Sequence, residues 1–156
     1  MDRNHVAGIS VSIRAYVSVD REEWRRMREA LWPGSGIDSD LDAWLHRRDA
    51  VVFVAVRAEG GLGGFVEAAT RPYAEGCDTS PVAFLEGWYV DPDLRRQGVG
   101  RALVAAVEAW ARANGLQEFA SDALIDNDVS HQAHGRLGFE EVERIVCFRK
   151  SLTAPR

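Results

Sequence analysis

Residues 90–104 read V-D-P-D-L-R-R-Q-G-V-G-R-A-L-V. A strand end and a turn run into an Arg/Gly-rich loop, which opens directly onto a helical pattern. Between Arg95 and Gly100 two glycines let backbone N–H groups turn inward with no Cβ in the way. The N–H groups at the following helix start have no intrahelical partners, so the run reads as a phosphate cradle. The plainer alternative is a tight strand-to-helix turn with solvated arginines. No Lys-Ser/Thr follows the second glycine as in a nucleotide P-loop, and the spacing differs from the dinucleotide G-x-G-x-x-G. The flanks supply the context a cradle needs. Residues 81–90 are apolar and aromatic like a strand, and Val99, Leu103, Val107 and Trp110 recur at helical spacing until Asn114-Gly115 stops them.

Working outward, residues 9–17 alternate like a first strand. Asp20 with Glu23 three residues on resembles a capping box for a helix carrying Trp24, Met27 and Leu31. Trp32-Pro33-Gly34 ends it, and Asp38 or Ser39 can cap a second short helix through Leu41, Trp44 and Leu45. Residues 51–56 read as a buried strand, 60–64 as a turn, 65–70 as the next strand and 71–80 as a loop. Beyond the long helix come a short strand at 118–122, a helix at 126–137 and a last strand at 142–150. The order β-α-α-β-β-β-α-β-α-β predicts an α/β fold with a mixed sheet and helices on both faces. It also predicts one domain over residues 1–150, with 151–156 as a frayed C-terminal tail.

The chain has 156 residues, enough for one ordinary core, with 46% hydrophobic and 28% charged residues. No apolar stretch approaches the roughly 20 residues of a membrane span, and the first residues do not read as a signal peptide, so a soluble, cytoplasmic protein is expected. Lys and Arg number 19 against 24 Asp and Glu, a formal charge of −5, which argues against nucleic acid and mildly for a cationic partner. Cys77 and Cys147 lie far apart and outside any C-x-x-C pair. Free thiols and no metal site are expected.

The R-x-x-G-x-G of Arg95 to Gly100 resembles the acetyl-CoA loop of the GCN5-related N-acetyltransferases. That resemblance implies a mainly antiparallel central sheet whose fourth and fifth strands splay to admit the pantetheine arm. Trp88, Tyr89 and Val90 would then offer backbone hydrogen bonds to the pantetheine. Arg95, Arg96, Gln97, Gly98, Val99 and Gly100 would hold the pyrophosphate, with acetyl-CoA as cosubstrate.

Glu86 stands in the apolar run F-L-E-G-W-Y-V, where regular alternation puts it on the face of Phe84 and Trp88. An unpaired acid there is costly. It is either half of a structural ion pair with one of the many arginines or a cleft carboxylate that receives a cationic amine. Asp122, in F-A-S-D-A, is either a capping or loop aspartate or a second acid in that cleft. The segments L-W-P-G, G-C-D-T-S-P-V-A-F-L-E-G, F-A-S-D-A and H-G-R-L-G-F-E-E-V-E-R are together similar to aminoglycoside 6'-N-acetyltransferases, over nearly the whole chain. By motif position this resemblance implies aminoglycoside contacts at Trp32, Tyr73, Glu86, Asp122 and Glu143, and a cofactor contact at Asn127. Ser35 occupies a place where some members carry His. The residue types suit the substrate class: spaced carboxylates attract and orient a rigid polycation, and Trp32 and Tyr73 can cover sugar faces.

An amine attacks a thioester only when neutral, so Glu86 or Asp122 is the candidate proton acceptor. His134 stands five residues before the phenylalanine of Gly138-Phe139, where many superfamily members carry the tyrosine that protonates the CoA thiolate. It is read as that acid or as an ordinary helix residue. Cys77 is read as a bystander, the arginines at 25, 26, 28, 47 and 48 as solvated helix faces, and Trp24, Trp44 and Trp110 as core or interface. The resemblance implies an aminoglycoside 6'-N-acetyltransferase conferring antibiotic resistance. The alternatives are acetylation of another polyamine or a protein amine, and, from a different class, a non-catalytic acyl-CoA-binding regulator. A homodimer is expected by analogy.

Overall fold

The computed structural model describes residues 4–5 and 11–153 of the chain. These fall into two compact units, Met1–Asp122 and Ala123–Arg156. The first unit is built on six strands lying side by side in chain order: β1 (Asn4–His5), β2 (Val11–Ala15), β3 (Ala50–Arg57), β4 (Leu62–Arg71), β5 (Val82–Val90) and β6 (Phe119–Ser121). Helices α1 (Arg21–Leu31) and α2 (Asp38–Leu45) separate β2 from β3, and α3 (Val99–Ala113) separates β5 from β6. Neighbours from β1 to β5 are antiparallel, and β6 runs parallel to β5. The single parallel pair is the one joined through a long helix, as a crossover connection requires. The mixed, mainly antiparallel α/β sheet expected from the sequence is therefore the fold. Of the expected first strand, Ile9 and Ser10 lie outside the described residues.

Strand alternation assigns the two faces. Val54 pairs with Phe65, and both pack with Trp24 and Met27 of α1 and Leu41 of α2. The next pair, Ala55 and Gly64, points the other way: a Cβ on Gly64 would meet Leu103 of α3 at 3.2 Å. Helices thus cover both faces, and α3 buries Val99, Leu103, Val104, Val107 and Ala111.

Two helix starts differ from expectation. Asp20 precedes α1, but its carboxylate accepts from Arg14 and from the Val17 N–H instead of capping the helix. Bidentate pairing with a guanidinium outcompetes a single amide. Asp38 and Ser39 lie inside α2, whose N-cap is Ile37, and Asp38 accepts from Arg21 and Arg25 of α1.

The second unit holds α4 (Asp128–Arg136), capped by Asn127, whose Oδ1 accepts from the Ser130 N–H at 3.1 Å. The strand expected at 142–150 is not formed: residues 139–150 have neither helix nor strand. Val146 is 76% exposed and Phe148 93%. The apolar pattern is there, but a strand exists only when another backbone supplies its hydrogen bonds, and among the described residues no strand is paired with this segment. Residues 151–153 continue without regular structure.

Candidate active site

The loop between β5 and α3 has the geometry of an anion cradle. Arg96 has φ 60° and Gly98 φ 87°, so the chain turns back sharply before α3 begins at Val99. At Gly98 the left-handed backbone requires glycine. Gly100 is needed for another reason: a Cβ there would lie 2.6 Å from Cζ2 of Trp88, so the first turn of α3 sits directly on β5. The side chains of Arg95, Arg96 and Gln97 are exposed around this helix start. Gln97 donates to the Asp93 carbonyl at 2.7 Å, and Arg95 donates through Nε to the Val90 carbonyl at 2.9 Å. This arrangement fits a pyrophosphate: a positive helix end, a glycine turn and exposed cationic side chains lie together in one short loop.

The edge of β5 beside this loop is open. β6 pairs with Ala83, Phe84 and Leu85 only, and residues 86–90 have no strand on that side among the described residues. An open edge here is what a pantetheine arm lying along β5 would need. It leaves Trp88, Tyr89 and Val90 along the opening.

Glu86 sits where the β4–β5 ladder slips. Gly87 pairs with Glu67 and Leu85 with Ala68, so Glu86 is the extra residue of a β-bulge. Regular alternation placed it with both Phe84 and Trp88. The bulge instead puts Glu86 on the face of Phe84 and Gly87, while Trp88 packs on the opposite face under α3. Its carboxylate accepts two hydrogen bonds from Arg71, at 2.8 Å from Nε and 2.7 Å from Nη2. Both readings of Glu86 thus apply together: it is one half of an ion pair, and it lies part-exposed on the open face.

Trp32 meets that face from the other side. The loop after α1 is held by Glu29, whose carboxylate accepts from the Gly34 and Gly36 N–H groups, and these bonds hold it below the usual carboxylate range. The Ser35 hydroxyl donates to the Arg28 carbonyl. So anchored, the loop lays the Trp32 ring against Gly87. Asp122 is exposed and directly follows Ser121, the partner of Leu85, which brings it level with Glu86. Tyr73 is 65% exposed on the loop after β4.

The remaining candidates belong to the second unit. Asn127 is occupied as the α4 cap. His134 Nδ1 lies 2.7 Å from the Ser130 carbonyl and so must be the protonated nitrogen, and its ring meets Phe139 at 5.3 Å. Glu143 is exposed. Cys77 is half-buried, and burial, reinforced by Glu118, raises its thiol pKa, which suits a bystander and not a nucleophile.

Two charged clusters escaped the sequence reading. Arg28, expected on a solvated face, is buried between the rings of Trp24 and Trp32, at 5.4 and 5.3 Å. Its Nη1 lies 3.0 Å from Glu67 Oε1, which also accepts from Trp24 Nε1 at 2.9 Å. Burial pushes Glu67 up to about 7, against the pull of Arg28. Arg26, likewise expected in solvent, joins Arg57 in binding the buried Asp91, and Arg57 also holds Asp93. That network anchors the entrance of the phosphate loop. The only trace of the first cluster in the sequence is one acid inside the apolar run F-V-E-A-A; α1 itself gives no sign, because arginines sit all around it.

A mainly antiparallel sheet with an open β5 edge and a glycine cradle at the start of its long helix is the architecture of an acyl-CoA N-acyltransferase. Residues 17–139 match the acetyltransferase (GNAT) family, and the chain belongs to it. More narrowly, it is similar to the aminoglycoside N(6')-acetyltransferase type 1 of Klebsiella aerogenes, 47% identical over 146 residues that cover 90% of this chain and 96% of the relative. The enzyme of that name from Acinetobacter baumannii is 51% identical over 137 residues, 83% of this chain and 91% of the relative. Among solved structures, AAC(6')-Iy in complex with the bisubstrate analog CoA-S-monomethyl-acetylneamine superposes with a TM-score of 0.84 at 41% identity, covering 90% of this chain and 98% of that one.

Proposed function

We infer that this protein transfers the acetyl group of acetyl-CoA to the 6'-amine of aminoglycoside antibiotics, and so confers resistance to them. The observation that carries the reading is the convergence of Trp32, Glu86 and Asp122 on one face at the open edge of β5, beside the phosphate cradle. The similarity to AAC(6')-Iy, whose complex joins both substrates in one molecule, supports it.

In this reading Arg95 to Gly100 hold the pyrophosphate, Trp88 to Val90 align the pantetheine, and Asn127 touches the cofactor. Trp32, Ser35, Tyr73, Glu86, Asp122 and Glu143 receive the drug. The reacting ammonium gives a proton to a carboxylate, directly or through water. Asp122, which is exposed, is the acceptor in this reading, and Glu86 binds an ammonium group of the drug. The neutral nitrogen attacks the thioester carbon, the C–S bond breaks, and the CoA thiolate takes up a proton. His134 supplies that proton. With Nδ1 committed to the Ser130 carbonyl, the donating atom is Nε2.

The protein acts in the cytoplasm, as a single N-acetyltransferase domain over residues 1–150 with a tail at 151–156. It is a homodimer. The exposed apolar side chains of Val142, Ile145, Val146 and Phe148, in a segment with a strand pattern and no strand partner among the described residues, support association of two copies. No helix among the described residues is long and apolar enough to cross a membrane.

Thiol release from acetyl-CoA with kanamycin, spermine and a lysine peptide as acceptors tests the activity. Turnover with kanamycin at far lower concentration than with the other two is expected. Preference for spermine or the peptide assigns a different acceptor. Binding of acetyl-CoA with no turnover on any amine makes the protein a regulator.

A further inference from the structure

The geometry points to Arg71 as a specificity-determining residue: its guanidinium occupies Glu86 when the acceptor site is empty and gives way to an ammonium group of a polycationic acceptor. The inference rests on the proposed acetyl transfer to aminoglycosides and adds a competitor built into the acceptor site.

Both oxygens of Glu86 are engaged by the planar fork of Arg71, at 2.8 and 2.7 Å. A substrate ammonium that reaches for Glu86 therefore meets a carboxylate already bound to a cation. Arg71 is the outer partner of the pair, with its side chain 40% exposed against 20% for Glu86. It is the last residue of β4, so its side chain can swing without disturbing the ladder. The guanidinium carbon lies 3.5 Å from the centroid of the Phe84 ring, a flat shelf on the face that also carries Glu86. The guanidinium also feels more than one acid. The hydrogen bond to Glu86 is the largest influence raising its pKa, opposed by burial, and the charges of Asp122 and Glu75 add to it. Arg71 thus holds a place beside Glu86 that a substrate ammonium would compete for.

The pair is part-buried and bidentate, but its Arg71 side is open to solvent, so a substrate cation can reach it and compete for Glu86. A compound with several ammonium groups gains from Asp122 and its neighbours while it displaces Arg71 from Glu86. A monoamine has only one charge with which to compete. The pair therefore sets a threshold that favours polycations, and Arg71 acts on binding without touching the reacting atoms.

The test compares KM and kcat for kanamycin, with acetyl-CoA saturating, in the wild type, Arg71→Gln, Arg71→Lys, Glu86→Gln and the double Arg71→Gln/Glu86→Gln protein. Kanamycin titration calorimetry is run on the same CoA-bound samples. Arg71→Gln is expected to lower KM about two- to fivefold with kcat nearly constant, and to have no further effect in the Glu86→Gln background. Arg71→Lys, which keeps the charge and loses the fork, should fall between wild type and Arg71→Gln, and decides the matter if Arg71→Gln does not fold. A KM that is unchanged or raised in the folded Arg71 variants overturns the inference and leaves the proposed activity standing. No turnover and no kanamycin binding in the wild type overturns both.

Discussion

The indole edge of Trp32 rests directly against the Cα of Gly87, so closely that any Cβ at position 87 would overlap Cη2 of the ring. A loop residue and a strand residue thus define one wall together, next to the bulge that turns out Glu86. Replacing Gly87 with Ala forces the ring to move, because the backbone beneath it is held by the ladder to β4. Gly87→Ala is expected to cost about 1–3 kcal/mol of stability and to raise the kanamycin KM more than it lowers kcat. Chemical denaturation and steady-state kinetics check the two parts; unchanged KM in a folded variant would remove Trp32 from the drug wall.

Glu67 makes stability depend on pH in an unusual direction. Its folded pKa of about 7 lies above the ordinary 4.5, because burial outweighs Arg28 and Trp24, and Glu86 adds a little in the same sense. Between those values the native state holds a proton that the unfolded chain has lost, so stability falls as pH rises through that window and levels off above it. Glu67→Gln removes the group. The wild-type melting temperature, measured relative to Glu67→Gln, should decline from about pH 4.5 to about pH 7. A flat difference would show that Glu67 stays charged throughout.

Asp91 has the opposite sign. Burial alone would raise it, but hydrogen bonds from Arg26 and then Arg57 hold it below its ordinary 3.8. Its contribution is complete above that value and is lost as pH falls through the folded pKa. Asp91→Ala leaves two guanidinium groups facing each other beside the phosphate loop. A loss of about 2–3 kcal/mol is expected, with weaker acetyl-CoA binding by calorimetry. Intact CoA affinity would mean that the loop is held independently of this network.

How much of this was legible in the sequence depended on which signals were local. The glycine loop, the long α3 and the strands around them were readable, because turn chemistry and hydrophobic period act over a few residues. Glu86 was readable as a misfit but not in its direction, since the bulge arises from how β5 pairs with β4 and not from β5 alone. Arg28 and Arg26 were misread for the same reason: α1 carries arginines all around its surface, and only the folded sheet decides which of them meets Glu67 or Asp91. The strand pattern at 142–150 was real as composition, but composition does not supply a pairing partner, and among the described residues no strand is paired with it.

Removing the imidazole of His134 tests the leaving-group step. His134→Ala is expected to lower kcat by about 10- to 100-fold, while kanamycin KM changes little. Unchanged turnover under chemistry-limited conditions rules out His134 as the acid.

The account stands or falls on which nitrogen is acetylated. Product isolated after incubation with acetyl-CoA and kanamycin, mapped by two-dimensional proton and carbon NMR, should carry a single acetyl group on N6', and an aminoglycoside with a 6'-hydroxyl in place of the amine should remain unmodified. Acetylation at a ring amine, or no modified product at all, would contradict it.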